Sequence, residues 1–360
     1  MADKINILGF SQKKLEKFFI DIDEPKFRAT QLLKWVHQHG ELNFENMLNF
    51  SKDLRKKLQD IAILKPPKIK KMLVSNDGTK KYLIELDSGS SIEMVRIPEK
   101  KRITLCISSQ AGCALKCTFC ATGAQGFEKN LSADEIIGQL WLANFHDSED
   151  DPITNVVFMG MGEPLLNFEP VITSAQLMRN EFAYFLSKKR ITISTSGLIP
   201  QINKLAERTD VSLAISLHAA EDELRDIIVP INKKYPISNL LDACKNYLTI
   251  HQGTRHVTIE YILIDGINDS INHAHNLSKV LKDLDCKINL IPFNPFDGCD
   301  YERSKEKNIN AFQKYLSQKG FISTVRTTRG DDIDGACGQL IGNLNKAAHG
   351  KKAIERQISA

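Results

Sequence analysis

Apolar positions change period twice along the chain. Up to about Leu64 they recur at helical spacing. One helix is predicted from near Ser11, with Leu15, Phe18 and Phe19 turned inward. A second follows Pro25, carries Leu32, Trp35 and Val36 on one face, and stops at Gly40. A third follows Ser51, with Leu54 and Leu58 on one face and Arg55, Lys56 and Lys57 around them. Phe19 and Trp35 read as core. Pro66-Pro67 breaks the pattern, and from Lys68 the period falls to two. Ile69–Val74, Lys80–Leu86 and Ser91–Ile97 are predicted strands, joined by turns at Asn76-Asp77-Gly78 and Asp87-Ser88-Gly89.

After Arg102 strands and helices alternate. The predicted strands are Ile103–Ile107, Asn155–Met159, Arg190–Ser194, Ser212–Leu217, His256–Leu263 and Lys287–Ile291. Helical stretches separate them, one opening on the capping box Ser132-Ala133-Asp134-Glu135. Six βα units imply a parallel sheet, with chemistry at the carboxyl ends of its strands. Six units make a partial barrel, and its open side would admit a large substrate. The expected fold class is α/β, a partial (βα)6 barrel with a small N-terminal helical accessory domain and a β-rich linker. The expected division is a helical accessory RNA-binding domain over 1–64, a β-hairpin linker over 65–100, a catalytic barrel over 101–345 and a polar, basic flexible tail over 346–360.

Composition narrows the class. A 360-residue chain with 42% hydrophobic and 26% charged residues reads as a soluble globular enzyme of about two domains. A net charge of +4 permits a polyanionic partner without requiring one. Lys65, Lys68, Lys70, Lys71, Lys80 and Lys81 make the hairpin region basic, where a solvated strand face and an RNA contact are equally open readings. The N-terminus lacks the apolar stretch of a signal peptide, and no apolar run approaches a membrane span. A cytoplasmic monomer is expected. Eight cysteines in a chain this long do not make a disulfide scaffold and suit a reducing compartment.

The chemistry concentrates in Cys113-Ala114-Leu115-Lys116-Cys117-Thr118-Phe119-Cys120, which follows the first barrel strand. Three thiolates at C-x-x-x-C-x-x-C spacing can hold an iron–sulfur cluster and leave one iron open to a small molecule. A ferredoxin run would carry a fourth cysteine nearby, but Ala121-Thr122-Gly123 follows. A structural zinc site pairs C-x-x-C units, and no second pair exists. Chance clustering of buried cysteines is the bland alternative. Cys244, Cys286 and Cys299 read as inert small hydrophobes.

With Phe119 as its aromatic, this run resembles the radical S-adenosylmethionine signature. Cys106 upstream, Gly160-Met161-Gly162-Glu163-Pro164, and Gly330-Asp331-Asp332-Ile333-Asp334-Gly335-Ala336-Cys337-Gly338-Gln339 extend the resemblance. Over nearly the whole chain, in order, it is similar to the dual-specificity 23S ribosomal RNA and transfer RNA adenine carbon-2 methyltransferases. The resemblance implies one 4Fe–4S cluster on Cys113, Cys117 and Cys120, and two S-adenosylmethionine molecules per turnover. It implies cofactor contacts from Gly162, Glu163, Ser194, Ser216, Leu217, His218 and Asn294. One S-adenosylmethionine would methylate Cys337, and a second, cleaved reductively at the cluster, would turn that methyl group into a radical that adds to the base. Cys106 would resolve the RNA–Cys337 adduct, leaving a disulfide. Glu93 is a candidate proton acceptor, a role that Cys106 shares as a candidate. The implied partners are 23S rRNA, tRNA and a low-potential electron donor such as flavodoxin.

Three alternatives stay open. A sister enzyme that methylates carbon 8 of adenosine shares the cysteine apparatus, although Pro164-Leu165-Leu166-Asn167 and the long N-terminal region look more like the carbon-2 group. The others are a non-catalytic iron–sulfur or zinc module and a non-catalytic RNA-binding protein.

Overall fold

The computed structural model describes residues 4–146, 151–251, 256–342 and 354–356. Its N-terminal unit closes on itself through a short parallel pair, β1 (Ile5–Asn6) with β2 (Ala62–Ile63). Between them lie α1 (Gln12–Asp21), α2 (Arg28–His37) and α3 (Lys52–Ile61). Ser11 and Ser51 cap α1 and α3, accepting from the amides of Lys14 and Leu54. Leu15, Phe19, Leu32, Val36, Leu54 and Leu58 are buried, as their spacing predicts.

A continuous sheet follows. Its first strands, β3 (Lys68–Val74), β4 (Lys80–Glu85) and β5 (Ser91–Glu99), are antiparallel. β5 pairs directly with the first barrel strand, β6 (Arg102–Cys106), so residues 65–100 extend the barrel sheet. A small hairpin, β7 (Gln110–Gly112) and β8 (Phe127–Asn130), brackets the cysteine loop and α4 (Ala121–Gln125). Helices and parallel strands then alternate: α5 (Ala133–Phe145), β9 (Asn155–Phe158), α6 (Phe168–Arg179), β10 (Ile191–Thr195), α7 (Ile199–Arg208) and β11 (Ser212–Ser216). After α8 (Asp222–Ile228) and α9 (Ile237–Ile250) come β12 (Val257–Leu263), α10 (Ile271–Val280), β13 (Cys286–Pro292), α11 (Glu306–Gln318) and β14 (Ile322–Val325). The expected capping box at Ser132 and Glu135 opens α5.

The sheet order is β14-β13-β12-β11-β10-β9-β6-β5-β4-β3, with a terminal strand β15 (Ile354–Arg356) on β3. The strands from β6 to β14 are parallel, seven where the sequence predicts six. The seventh, β14, is four residues long and alternately exposed, with Ile322 58% accessible, so its apolar signal is weak. Of the tail expected over 346–360, all but Ile354–Arg356 lies outside the described residues.

The sheet curls into most of a barrel. On a flat sheet, six strand spacings between β6 and β14 would span about 29 Å. Yet the Arg326 charge, just past β14, acts on Cys106 of β6. Ile193, Leu213, Ile215, Ile259, Tyr261, Ile288 and Leu290 fill the core of the central strands, as expected of parallel strands covered on both faces.

The accessory helices are fastened to α5 and to the end of α6. Trp141 donates to the Val36 carbonyl at 3.0 Å, and Asn180 donates to Gln12 Oε1 at 2.8 Å. His37 Nδ1 meets the Tyr184 hydroxyl at 3.1 Å. Gly9 packs so tightly on α5 that a Cβ there would lie 2.2 Å from the Asp134 amide nitrogen.

Candidate active site

A cavity with an empty volume of about 960 Å³ opens at the carboxyl ends of the barrel strands. Successive strands feed it: Cys113, Cys117 and Cys120 after β6, Gly162 and Glu163 after β9, Ser194 from β10, Ser216 and His218 at the end of β11, Glu260 from β12, Arg326 after β14, and Cys337 from the C-terminal loop. These positions converge only because the sheet curls.

The β7–β8 hairpin shapes the cysteine loop. Gly112 has φ +68, and a Cβ there would lie 1.8 Å from the Gly126 carbonyl oxygen, so only glycine fits. Beside it the Cys113 amide donates to that same oxygen at 2.9 Å. Burial pushes the Cys113 thiol up to about 12. Burial raises Cys117 too, reinforced by the neighbouring Cys120 and Cys113. Thiols held together in this way favour a cationic group that displaces their protons. Among the described residues no three His, Cys, Asp or Glu side chains converge on a single metal ion. Three thiols lining one cavity wall suit an iron–sulfur cluster, which takes one thiolate per iron.

Glu163 faces these cysteines. Burial raises its carboxyl to about 7, while backbone amides act in the opposite direction. Its Oε2 accepts from the Ser196 amide at 2.8 Å and its Oε1 from the Leu165 amide at 3.1 Å. The turn before it needs glycine: Gly162 has φ +93, and a Cβ would meet Gln110 Cβ at 2.4 Å. Gln110 in turn accepts from the Glu163 amide at 2.9 Å.

The ends of β10 and β11 are held by a group the sequence reading missed. Arg225 on α8 is fully buried; Nε donates to the Leu217 carbonyl at 2.9 Å, and Nη1 to Asn232 Oδ1 at 2.7 Å. Nη2 donates to the carbonyls of Ser196 at 2.7 Å and Ser216 at 3.1 Å. Burial lowers it to about 10, and it stays a cation. The available signal was a lone arginine on the face of α8 that also carries buried Ile228. Leu217, expected at the cofactor, is fully buried and absent from the cavity wall. His218 does reach the wall, in a left-handed conformation at φ 63. Its carbonyl accepts from Asn268 at 2.9 Å, its Nδ1 accepts from the Ile262 amide at 3.0 Å, and its ring lies edge-on to Phe119 at 4.6 Å. Burial lowers its pKa to about 3, so the ring is neutral and carries its proton on Nε2.

The C-terminal loop closes the cavity. Ala121 donates to the Gly338 carbonyl at 2.7 Å, and Thr122 Oγ1 to the Leu340 carbonyl at 2.6 Å. Cys337 is thereby set beside the cysteine loop. Cys106 lies within electrostatic range of it, and burial pushes the Cys106 thiol up to about 12. All eight cysteines are free. The expected Cys106–Cys337 disulfide is therefore not a standing bond of this structure. Asn294 is not on the cavity wall: its Nδ2 donates to the Cys337 carbonyl at 3.2 Å, and its Oδ1 accepts from Thr328 at 3.1 Å. Glu93 also sits behind the wall, fully buried, 3.6 Å from Lys81 Nζ, and accepting from the Ile341 amide at 3.2 Å. Burial raises its pKa, and Lys81 works against that.

Lys81 is thus an interior cation, 3% exposed, which takes it out of the basic surface run. Lys65 and Lys70 pair with Asp87 at 2.6 Å and Glu85 at 3.2 Å.

Known proteins bear on this geometry. The radical SAM superfamily model matches residues 107–277, and the model of the ribosomal RNA large subunit methyltransferase N-terminal domain matches residues 5–64. A radical SAM methyltransferase structure from Sphaerobacter thermophilus superposes with a TM-score of 0.89 at 38% identity, covering 94% of this chain and all of that one. Cysteine loop, glycine-flanked Glu163 and curled sheet together define a radical S-adenosylmethionine RNA methyltransferase. Two relatives named dual-specificity RNA methyltransferase RlmN cover nearly everything. The one from Marinomonas sp. is 53% identical over 98% of this chain and 97% of its own. The one from Marinobacter nauticus is 52% identical over 95% and 94%. The chain belongs to the RlmN family. The superfamily implies a 4Fe–4S cluster and S-adenosylmethionine. No helix among the described residues is long and apolar enough to cross a membrane.

Proposed function

We propose that this enzyme methylates carbon 2 of adenosine in 23S rRNA and in tRNA, through a methyl group carried on Cys337. The observation that carries the reading is the docking of the Cys337 loop on the cysteine loop, with both lining one cavity. Carbon 2 of adenine is electrophilic and has no lone pair, so an ordinary attack by the ring on a sulfonium fails there. The cluster with S-adenosylmethionine supplies the methyl group and the one-electron chemistry that avoids this obstacle. Cys113, Cys117 and Cys120 would hold the cluster, and Glu163 with the Gly162 turn would receive the amino end of S-adenosylmethionine. Ser194, Ser216 and His218 line the intervening wall, with Nε2–H of His218 as a donor. Cys337 carries the methyl group and then the RNA. Cys106, once deprotonated, would attack the Cys337 sulfur, forming a Cys106–Cys337 disulfide as the sulfur–carbon bond breaks and the released carbon takes up a proton to become the methyl group; an external thiol reductant would then restore both thiols. Glu93 takes the ring proton or supports the residue that does. Asn294 holds the Cys337 carbonyl.

A low-potential donor such as flavodoxin would reduce the cluster, and the cytoplasm is the compartment where both RNAs are met. The test is mass spectrometry of protein made with its cluster and of nucleosides from treated RNA. One extra methylene on the Cys337 peptide and 2-methyladenosine in the digest are expected. A methyl group on carbon 8 instead would assign the sister activity.

A further inference from the structure

Glu260 is the one charged residue of strand β12, 3% exposed and on the cavity wall. Its Oε1 accepts from Asn289 at 3.0 Å, while its Oε2 is buried with no hydrogen-bond partner. A buried acceptor left empty costs free energy that a ligand recovers by donating to it. Arg326, the only cation on that wall among the described residues, lines the same cavity. The two do not form an ion pair, but each acts on the other electrostatically, and both act on Cys337. An acceptor and a donor thus share one wall, within electrostatic range of each other and of the sulfur proposed to carry the methyl group.

We propose that Glu260 is a specificity-determining residue whose Oε2 accepts a hydrogen bond from the exocyclic amine of the adenine brought beside Cys337. Arg326 donates to the adjoining ring nitrogen. This rests on the adenosine reading above. The pairing edge of adenine presents an amine donor beside a ring-nitrogen acceptor, the complement of a carboxylate beside a guanidinium. The same edge of guanine presents acceptor then donor, which would oppose both groups. Position favours the substrate base over the adenine of the cofactor. Glu163, the proposed seat of the cofactor's amino end, interacts with Cys113 and Cys117, whereas Glu260 interacts with Arg326 and Cys337. A site built to bond a polar group rejects an analogue lacking it far more strongly than an apolar pocket does.

The test is a cycle between enzyme and base. Wild type and Glu260→Met, both loaded with cluster, are given RNA with adenosine or with purine riboside, which lacks the amine, at the target position. Wild type must first methylate adenosine at carbon 2; failure there sinks the functional reading, and an RNA affinity in wild type that is indifferent to the amine, measured in the same experiment, overturns the contact independently of turnover. Removing the amine is expected to lower wild-type kcat/KM by about 100-fold, and to change the variant less than about threefold. Glu260→Gln keeps an amide carbonyl that can face the cavity and should recover part of the adenosine activity. The dissociation constant for S-adenosylmethionine should stay within about twofold in the variants. Equal losses from wild type and variant on removing the amine would overturn the proposal. So would a tenfold weaker S-adenosylmethionine affinity, which would hand Glu260 to the cofactor. If Glu260→Met does not load iron, the cycle runs with Glu260→Gln, and a wild type indifferent to the amine overturns the proposal by itself.

Discussion

The amide of Ala121 donates to the carbonyl of Gly338 at 2.7 Å, joining two loops more than two hundred residues apart in sequence. One loop carries the three closely spaced cysteines, and the other carries Cys337. Gly338 sits at φ +88, and a Cβ there would lie 3.3 Å from the Phe119 carbonyl oxygen. Its carbonyl can meet Ala121 because nothing occupies that gap.

Gly338→Ala should therefore lift the Cys337 loop. The left-handed backbone alone costs an alanine on the order of 1–2 kcal/mol. Iron content should be unchanged, while the fraction of Cys337 peptide carrying an extra methylene should fall about tenfold. Normal methylation in this variant would show that the loop docks by other means.

Arg225 should be a stability residue first. Arg225→Met removes a buried cation and leaves the carbonyls of Leu217, Ser196 and Ser216 and the Asn232 amide oxygen without their donor. A loss of about 3 kcal/mol or more is expected, read as a lower denaturation midpoint in the cluster-free protein. Arg225→Lys should recover little, since a single ammonium cannot reach acceptors spread around a planar fork.

His37 predicts an acid-side weakness. Burial lowers its folded pKa from 6.5 to about 3. Between those values the unfolded chain holds a proton that the folded chain lacks, so stability falls as pH falls below 6.5. At about 1.4 kcal/mol per pH unit, the step from pH 6.5 to pH 5 removes about 2 kcal/mol. Melting curves of His37→Gln should show a shallower loss over that interval than wild type. Parallel curves would place the proton elsewhere.

Cys106 and Cys337 should fail differently. Cys337→Ala has no sulfur to carry the methyl group and should form no RNA adduct. Cys106→Ala should still add to RNA and then stall, giving a slow band on a denaturing gel that RNase removes. The double variant should give none. Normal turnover by Cys106→Ala, without adduct, would return Cys106 to the core of β6.

What the sequence disclosed follows from where the information is local. The cysteine run, the Gly162–Glu163 turn and the period-two strands each declare themselves within ten residues, and the structure brings the cysteines and Glu163 into one cavity. β14 went unread because half its residues face solvent. Arg225 and Asn268 went unread although most of their partners lie within ten residues, because no periodicity marks which backbone groups a buried side chain will meet, and Arg326 went unread because the groups it acts on, Cys106 and Glu260, lie on distant strands. Glu260 was legible in hindsight, as a charge interrupting Val257–Leu263. By resemblance Leu217 and Asn294 were expected at the cofactor and Glu93 as a proton acceptor, and in the structure none of the three is among the residues lining the cavity.

The fastening of the helical unit to α5 and α6 has a mechanical meaning. Gly9 against Asp134, Trp141 on Val36 and His37 on Tyr184 tie that unit to the barrel at three places. They set the distance from the helices to the cavity. If the helical unit grips RNA while the barrel holds the target base, as the proposed function would have it, the polynucleotide would have to supply the distortion, and each proposed RNA would be accepted only if it could be bent to that span. Compliance of the RNA, rather than adjustment of the enzyme, would then be the quantity on which selection acts.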